Sequence, residues 1–125
     1  MPAKREKPWK ARVGSKRGKG QRPSERELDR MIEDAVVDAH DESEQAVGFF
    51  TMIEDNLALP FDTVVLGVEV TVEKLDVNER DEIVAVCRRG RERQKLPLLD
   101  LPLPKPPPTG WKWIEAYRRW ARGWS

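Results

Sequence analysis

The sequence contains only one cysteine and one histidine among its 125 residues, and this scarcity excludes several classes of protein. Cys87 has no partner for an internal disulfide, which suits a reducing compartment. His40 and Cys87 alone leave little for acid–base or covalent catalysis, and there is no glycine-rich phosphate loop and no Cys-x-x-Cys pair. We therefore expect a protein that is not an enzyme.

Long apolar runs are also missing from the sequence. No stretch approaches the roughly 18 apolar residues of a membrane-spanning helix, and no apolar signal segment follows the basic start of the chain. With 125 residues, 38% of them hydrophobic, the chain is sufficient for one domain with a modest core. We expect a soluble, cytoplasmic protein without a membrane span.

The charges are segregated along the chain, although their sum is only +1. Residues 1–22 contain nine Lys or Arg and one Glu, so their charge is 9 − 1 = +8. Residues 23–62 contain 12 acids and two bases, so their charge is 2 − 12 = −10. The first segment has almost no apolar side chains, which predicts a disordered basic tail ahead of one domain over residues 23–125. The tail is either a solvated extension or a segment that binds nucleic acid or another polyanion.

Two amphipathic helices joined by a short corner are predicted in the acidic region. Ser24 and Glu27 have the spacing of a capping box, and apolar residues follow at three- and four-residue steps. Asp41 and Glu44 repeat that spacing at the start of the second helix. The sequence therefore predicts a helical hairpin whose connection, over residues 38–43, is acidic.

Strand patterns follow the predicted hairpin. Residues 64–73 alternate with a period of two, with Gly67 as a bend, and further strands are expected over residues 83–88 and 94–98. Residues 97–108 contain six prolines and should be extended. This pattern is typical of a small antiparallel sheet or an SH3-like barrel.

A last helix is predicted after Gly110. Trp113, Tyr117, Trp120 and Trp124 follow at steps of four, three and four, so their rings share one face. An exposed row of indoles would favour aggregation, so this face should pack on the domain. The predicted fold class is α+β, with an N-terminal helical hairpin and a C-terminal helix packed on the sheet or barrel.

The corner of the helical hairpin concentrates four acids: Asp38, Asp41, Glu42 and Glu44. At about 4 Å, each like-charged pair costs about 1 kcal/mol in water and about 4 kcal/mol at an effective dielectric of 20. A divalent cation reverses that sign, and a turn offers the carboxylate and carbonyl oxygens that calcium prefers. Alternatively, Asp41 and Glu44 only cap the second helix, and spacing alone favours this interpretation. An EF-hand loop is absent from the sequence.

Several other residues have two interpretations. His40 could ligate zinc or manganese with the corner acids, or be a partly exposed structural residue. Glu54 and Asp55 form a second acidic pair at the far end of the second helix, where a separate, weaker cation site is the alternative to solvation. Cys87 is expected to be a small buried apolar residue. The basic run over residues 88–95 is either a binding patch or a solvated hairpin tip.

The stretch IEDAVVDAHDESEQAVGFFTMIEDNLALPF, residues 32–61, is similar to the signature of the cyanobacterial-type calcium-binding proteins, a family without EF-hands. The matching residues are Val37, Asp38, Ala39, Asp41, Glu42, Ala46, Gly48, Glu54, Asp55, Pro60 and Phe61. The chain departs from the family at His40, Phe49 and Leu59, where Tyr, Trp and Phe are favoured, and these changes leave the acids intact.

The resemblance extends over about residues 26–125 and excludes the basic tail. It implies that the protein binds calcium ions through its acidic surface, as a buffer or a sensor. The ligands expected on this basis are Asp38, Asp41 and Glu42, followed by Glu44.

Overall fold

The computed structural model describes residues 22–124. This part of the chain forms three α-helices, four strands and one short 3-10 helix. Their bounds are α1 Glu25–Val36, α2 Glu42–Asn56, β1 Phe61–Val65, β2 Val68–Val77, β3 Ile83–Arg89, β4 Glu92–Pro97, the 3-10 helix Leu98–Asp100 and α3 Trp111–Ala121. The α+β prediction is confirmed. Within the same residues, none of the helices has the length and apolar character needed to cross a membrane. The predicted basic tail, residues 1–22, lies outside the described residues except for Arg22.

The first two helices begin where their capping boxes predict. The Ser24 hydroxyl accepts a hydrogen bond from the Glu27 N–H at 3.0 Å. The Asp41 carboxylate accepts one from the Glu44 N–H at 2.9 Å. Each bond satisfies a backbone donor that has no partner inside its helix, and such a cap contributes about 1 kcal/mol.

The sheet is an antiparallel meander with the strand order β1-β2-β3-β4, so β1 and β4 are its edges. Of the two predicted alternatives, the open sheet is therefore the observed one. The single strand predicted over residues 64–73 is wrong, because Leu66 and Gly67 form a turn between β1 and β2. Val65 pairs with Val68 across it, and both turn residues have positive φ angles of 51° and 78°. Leucine is unusual at such a position, so Gly67 by itself indicates a bend within one strand and not a two-residue turn.

The helices cover one face of the sheet and enclose the core. The largest fully buried side chains are Phe49, Ile32, Ile53, Ile83, Leu98, Leu101, Ile114 and Val72. Tyr117 of α3 is buried, and Trp113, Trp120 and Trp124 pack against the same core. The prediction that the aromatic face of the last helix packs on the domain is confirmed.

Candidate metal centre at the helical corner

The corner between α1 and α2 is a tight reversal of the chain. Asp38 has a φ of 69°, in the left-handed region, where aspartate is tolerated better than most residues. The Ala39 N–H donates to the carbonyl of Val36 at 2.9 Å and closes the last turn of α1. The end of α1 and the start of α2 therefore meet at a single exposed corner.

The helices beside this corner are in direct backbone contact. A Cβ atom at Gly48 would lie 2.1 Å from the carbonyl oxygen of Ala35, so only glycine allows this approach. Ala35 is itself buried, with 6% of its surface exposed. Two small residues thus let α1 and α2 contact each other about one helical turn from the nearest predicted ligands, Asp38 and Glu44.

Two of the four predicted ligands also act as helix caps. Asp41 accepts from the Glu44 N–H through Oδ1, and Glu44 accepts from the His40 N–H through Oε1 at 2.6 Å. The Asp41 bond is the predicted half of a capping box, whereas Glu44 reaches one residue past the N-cap and binds His40 instead of the Asp41 N–H. The second oxygens, Asp41 Oδ2 and Glu44 Oε2, accept no hydrogen bond from residues 22–124. Capping therefore leaves one oxygen of each carboxylate for a cation.

The charge at the corner is not neutralised by any cation among residues 22–124. Asp38, Asp41, Glu42 and Glu44 are all exposed. None of them forms an ion pair with a base among residues 22–124, whereas acids elsewhere in the domain do. The carbonyl oxygens of residues 37–40 accept no backbone hydrogen bonds from the same part of the chain. The corner is thus a surface of oxygen acceptors with net negative charge.

These acids are not assembled into a finished ligand set. Among residues 22–124, no three His, Cys, Asp or Glu side chains lie together as a metal would require. The donor chemistry fits calcium, which takes six to eight oxygen ligands in flexible geometry. The side chains would have to converge around the ion, and their exposure leaves them room to do so. The ligand assignment stays a prediction.

A cavity of about 570 Å³ extends the corner toward the sheet. Glu42 lines it at the start of α2, and Arg80, Asp81 and Glu82 line it from the loop between β2 and β3. No site was predicted in residues 76–82, so this neighbour of the corner was missed. The available signal was the run DVNERDE, which places four acids within seven residues.

The Asn78 side chain organises this loop. Its carbonyl oxygen accepts from the N–H groups of Arg80 at 2.8 Å and Glu82 at 3.0 Å. Its amide donates to the Glu82 carboxylate at 3.0 Å, and Asp81 adopts a φ of 63°. These bonds hold the loop so that Asp81 and Glu82 face the same cavity as Glu42.

Helix α3 forms the remaining wall of the cavity. The Trp120 indole N–H donates to the Gln45 side chain of α2 at 2.9 Å, and its ring lies 5.2 Å from that of Phe49. The Ile83 N–H donates to the Tyr117 hydroxyl at 3.2 Å, and burial raises the pKa of Tyr117, which keeps the phenol neutral. The aromatic residues of α3 therefore contact both α2 and the first residue of β3.

Other charged residues of interest have structural partners. Asp29 of α1 accepts hydrogen bonds from Arg119 at 2.8 Å and Trp124 at 2.9 Å. These bonds hold the pKa of Asp29 below its ordinary value. In the basic run, Arg88 and Arg93 both contact Glu73, and their hydrogen bonds lower the pKa of that carboxyl. Asp29 and Glu73 are therefore held in ion pairs, whereas the corner acids form no ion pair within residues 22–124.

The structure also shows the surroundings of the other residues that the sequence singled out. Cys87 is buried, as predicted, and burial raises the pKa of its thiol. His40 is exposed, and it joins no metal-binding group within residues 22–124. Glu54 and Asp55 are exposed at the far end of α2, so they lie apart from the corner.

Comparison with known proteins relates the chain to calcium-binding proteins. A protein-family model described as calcium binding matches residues 29–121. Among solved structures, CcbP from Anabaena has a TM-score of 0.60 and 18% identity over 86% of this chain and 98% of its own. A calcium-binding protein in its calcium-binding form has the same score and identity over 78% and 92% of the two chains. At this identity the two structures show a common fold. No curated protein matches the sequence.

Proposed function

Because the chain belongs to the CcbP-type calcium-binding family, which matches residues 29–121, we propose that it binds Ca²⁺ at the helical corner. The resemblance predicted from residues 32–61 is confirmed by that match. The proposed ligands are Asp38, Asp41 and Glu42, followed by Glu44. We propose a non-catalytic, cytoplasmic role as a calcium buffer or sensor.

The observation that carries this proposal is a set of oxygen acceptors at the corner that no base of residues 22–124 neutralises. Four exposed carboxylates share it with carbonyl groups that have no backbone partner within residues 22–124. Calcium prefers such mixed oxygen donors. Asp41 can keep Oδ1 on the Glu44 N–H and offer Oδ2 to the ion.

The helix dipoles at the corner oppose each other. The N-terminus of α2 disfavours a cation, whereas the last carbonyls of α1 favour one. Since both helix ends meet here, their effects on a cation largely offset. The carboxylate charges therefore make the electrostatic potential at the corner negative. We propose that Asp81 and Glu82 add to this negative field across the cavity that they share with Glu42. Arg80 lines the same cavity and would turn away from a bound ion.

The test is calorimetric titration of the full chain with CaCl₂ and then with MgCl₂. Asp41→Asn should weaken calcium binding roughly tenfold, about 1.4 kcal/mol, because one ligand charge is lost. The fold should persist, because asparagine caps a helix as well as aspartate does. Glu69→Gln, which removes one exposed carboxylate from β2 away from the corner, is the matched control and should bind as wild type does.

Two outcomes would contradict the proposal. Absence of both binding heat and stabilisation at millimolar calcium would exclude a calcium site. Micromolar binding that Asp41→Asn leaves unchanged would place the site elsewhere in the chain.

A sensor, unlike a buffer, also requires that the helices move when the ion binds. Tryptophan fluorescence measured during the calcium titration should report such movement, because the Trp120 indole is hydrogen-bonded to Gln45 of α2. The same titration of Trp120→Phe shows how much of the fluorescence change comes from Trp120.

A further inference from the structure

One end of the sheet extends beyond the helices that cover the rest of that face. The turns of β1–β2 and β3–β4 both lie at this end. Between them is a groove of about 640 Å³ with a floor of aliphatic side chains: Val65, Val68, Val70 and Leu96. Cys87, which is buried, closes the floor. We call this feature the hairpin-tip groove.

The floor belongs to the same face as the core. Leu96 pairs with the buried Ala85, and directly opposed residues share a face of the sheet. Val70 lies two residues before the buried Val72, which also places it on that face. The groove is therefore a continuation of the core face that no element of residues 22–124 covers completely.

Leu66 stands at the mouth of the groove and is not explained by folding. It is 96% exposed, so it contributes almost nothing to the core. Its φ of 51° is unfavourable for leucine, and asparagine followed by Gly67 would suit this turn better. A large apolar residue that is both strained and exposed fits a contact with another molecule.

The rim of the groove is basic. Residues 88–95 contain five basic residues and one acid, a charge of 5 − 1 = +4, and their ion-pair partners Glu73 and Asp76 reduce this to 4 − 2 = +2. Arg88 and Arg93 are paired with Glu73, and Lys95 with Asp76. Arg89, which lines the groove, and Arg91 at the turn form no ion pair with an acid of residues 22–124. Two guanidinium groups are thus available to carboxylates of a partner.

Strand β4 provides an open edge beside the groove. It pairs with β3 on one side only. The backbone groups on its other side have no backbone partner among residues 22–124. An extended segment can add to such an edge through main-chain hydrogen bonds, while its alternate side chains enter the neighbouring groove.

We propose that the hairpin-tip groove and the β4 edge bind an extended acidic segment of a partner protein, with an apolar side chain seated against Leu66. The basic tail of the chain itself is a poor occupant, because its charge of +8 meets a rim whose charge is +2 after its ion pairs are counted. A second copy joined through the same end would also bring like charges together. An extended segment with acidic and apolar side chains fits all three features. Its carboxylates match the basic rim, its apolar side chains match the aliphatic floor, and its backbone can pair with the edge of β4.

The test uses fluorescence anisotropy of a labelled peptide that alternates Glu and Val around a central Phe, titrated with the full chain. A peptide with Ser in place of Val and Phe keeps the charge and measures binding through charge alone, whether at the basic tail or at the rim. A peptide with Lys in place of Glu reverses the charge. We expect the Glu–Val peptide to bind at least about tenfold more tightly than either, about 1.4 kcal/mol.

Leu66→Asn is the decisive variant. It should reduce binding of the Glu–Val peptide about tenfold without lowering the melting temperature, because Asn-Gly suits this turn. Leu99→Asn, an exposed leucine outside the groove, is the matched control and should bind as wild type does. Arg89→Glu should also weaken binding about tenfold, whereas Arg30→Glu on α1 should not.

Several results would overturn the proposal. These are no anisotropy change with millimolar chain, equal binding of the Ser or Lys peptide, and unchanged binding by Leu66→Asn. Leu66-dependent binding to phosphatidylserine–phosphatidylcholine vesicles without peptide binding would instead identify a membrane-docking tip. Arg89-dependent binding to polyuridylate RNA that does not require Leu66 would identify a polyanion site.

Discussion

Substitution of Gly48 by alanine tests whether the contact between α1 and α2 builds the corner. Alanine at an ordinary helix position is more stable than glycine by about 1 kcal/mol. Here the new Cβ would lie 2.1 Å from the Ala35 carbonyl oxygen, whereas ordinary contact begins at 3.4 Å. The helices would have to separate by about 3.4 − 2.1 = 1.3 Å. Helix propensity therefore predicts that Gly48→Ala stabilises the protein, whereas packing predicts that it destabilises the protein.

The packing effect should be the larger one. Overpacking a core costs about 1–3 kcal/mol, and the upper end applies because the obstructing atom belongs to the backbone and cannot change rotamer. After subtracting the gain in helix propensity of about 1 kcal/mol, we expect Gly48→Ala to lose about 2 kcal/mol of stability. For a domain of this size, that loss lowers the melting temperature by several degrees.

Urea unfolding followed by tryptophan fluorescence measures this loss directly. Val47→Ala is the matched control, because Val47 is the preceding residue of the same helix and is 50% exposed. It should change stability by less than about 0.5 kcal/mol. A Gly48→Ala protein as stable as wild type, or more stable, would refute the contact. If the contact also positions the ligands, calcium binding by the folded variant should be weaker than by Val47→Ala.

Two further predictions concern pH and the basic tail. The lowered pKa of Asp29 means that its bonds to Arg119 and Trp124 stabilise the fold above the unfolded carboxyl pKa of about 3.9, and that this stabilisation is lost as pH falls through the folded value. Urea unfolding between about pH 3 and 7 should show less acid sensitivity in Asp29→Asn than in the control Asp34→Asn; equal slopes would contradict this. Deletion of residues 1–22 should abolish salt-sensitive RNA binding and leave the circular dichroism spectrum of the domain unchanged. Failure of the full chain to bind RNA at low salt would exclude that role for the tail.

Features that depend on neighbouring residues were predicted well. The caps of α1 and α2 follow from side chains three residues from their donors, so Ser24 and Asp41 identify both starts. The aromatic face of α3 follows from helical periodicity, and its burial follows from the size of the rings. The division between β1 and β2 was missed, because Leu66 has no local preference for a turn.

Relationships between distant elements were not available from the sequence. Asn78 and Glu82 look like ordinary turn residues until the turn is placed beside the start of α2. The groove was hidden for the same reason, since periodicity shows which face of a strand is apolar but not how far the helices cover it. The sequence likewise could not show which arginines of the basic run are ion-paired. The fold brings Glu73 of β2 beside Arg88 and Arg93.

The sequence by itself determined the acidic corner, because its four carboxylates lie within seven consecutive residues and one helix cap brings two of them together. Tertiary structure decided what faces that corner. The contact of Gly48 with Ala35 brings the two helices together, and the packing of α3 sets the cavity that joins Glu42 to Asp81. The physical reason is range: capping and periodicity act within a few residues, whereas a shared cavity depends on how separate elements pack.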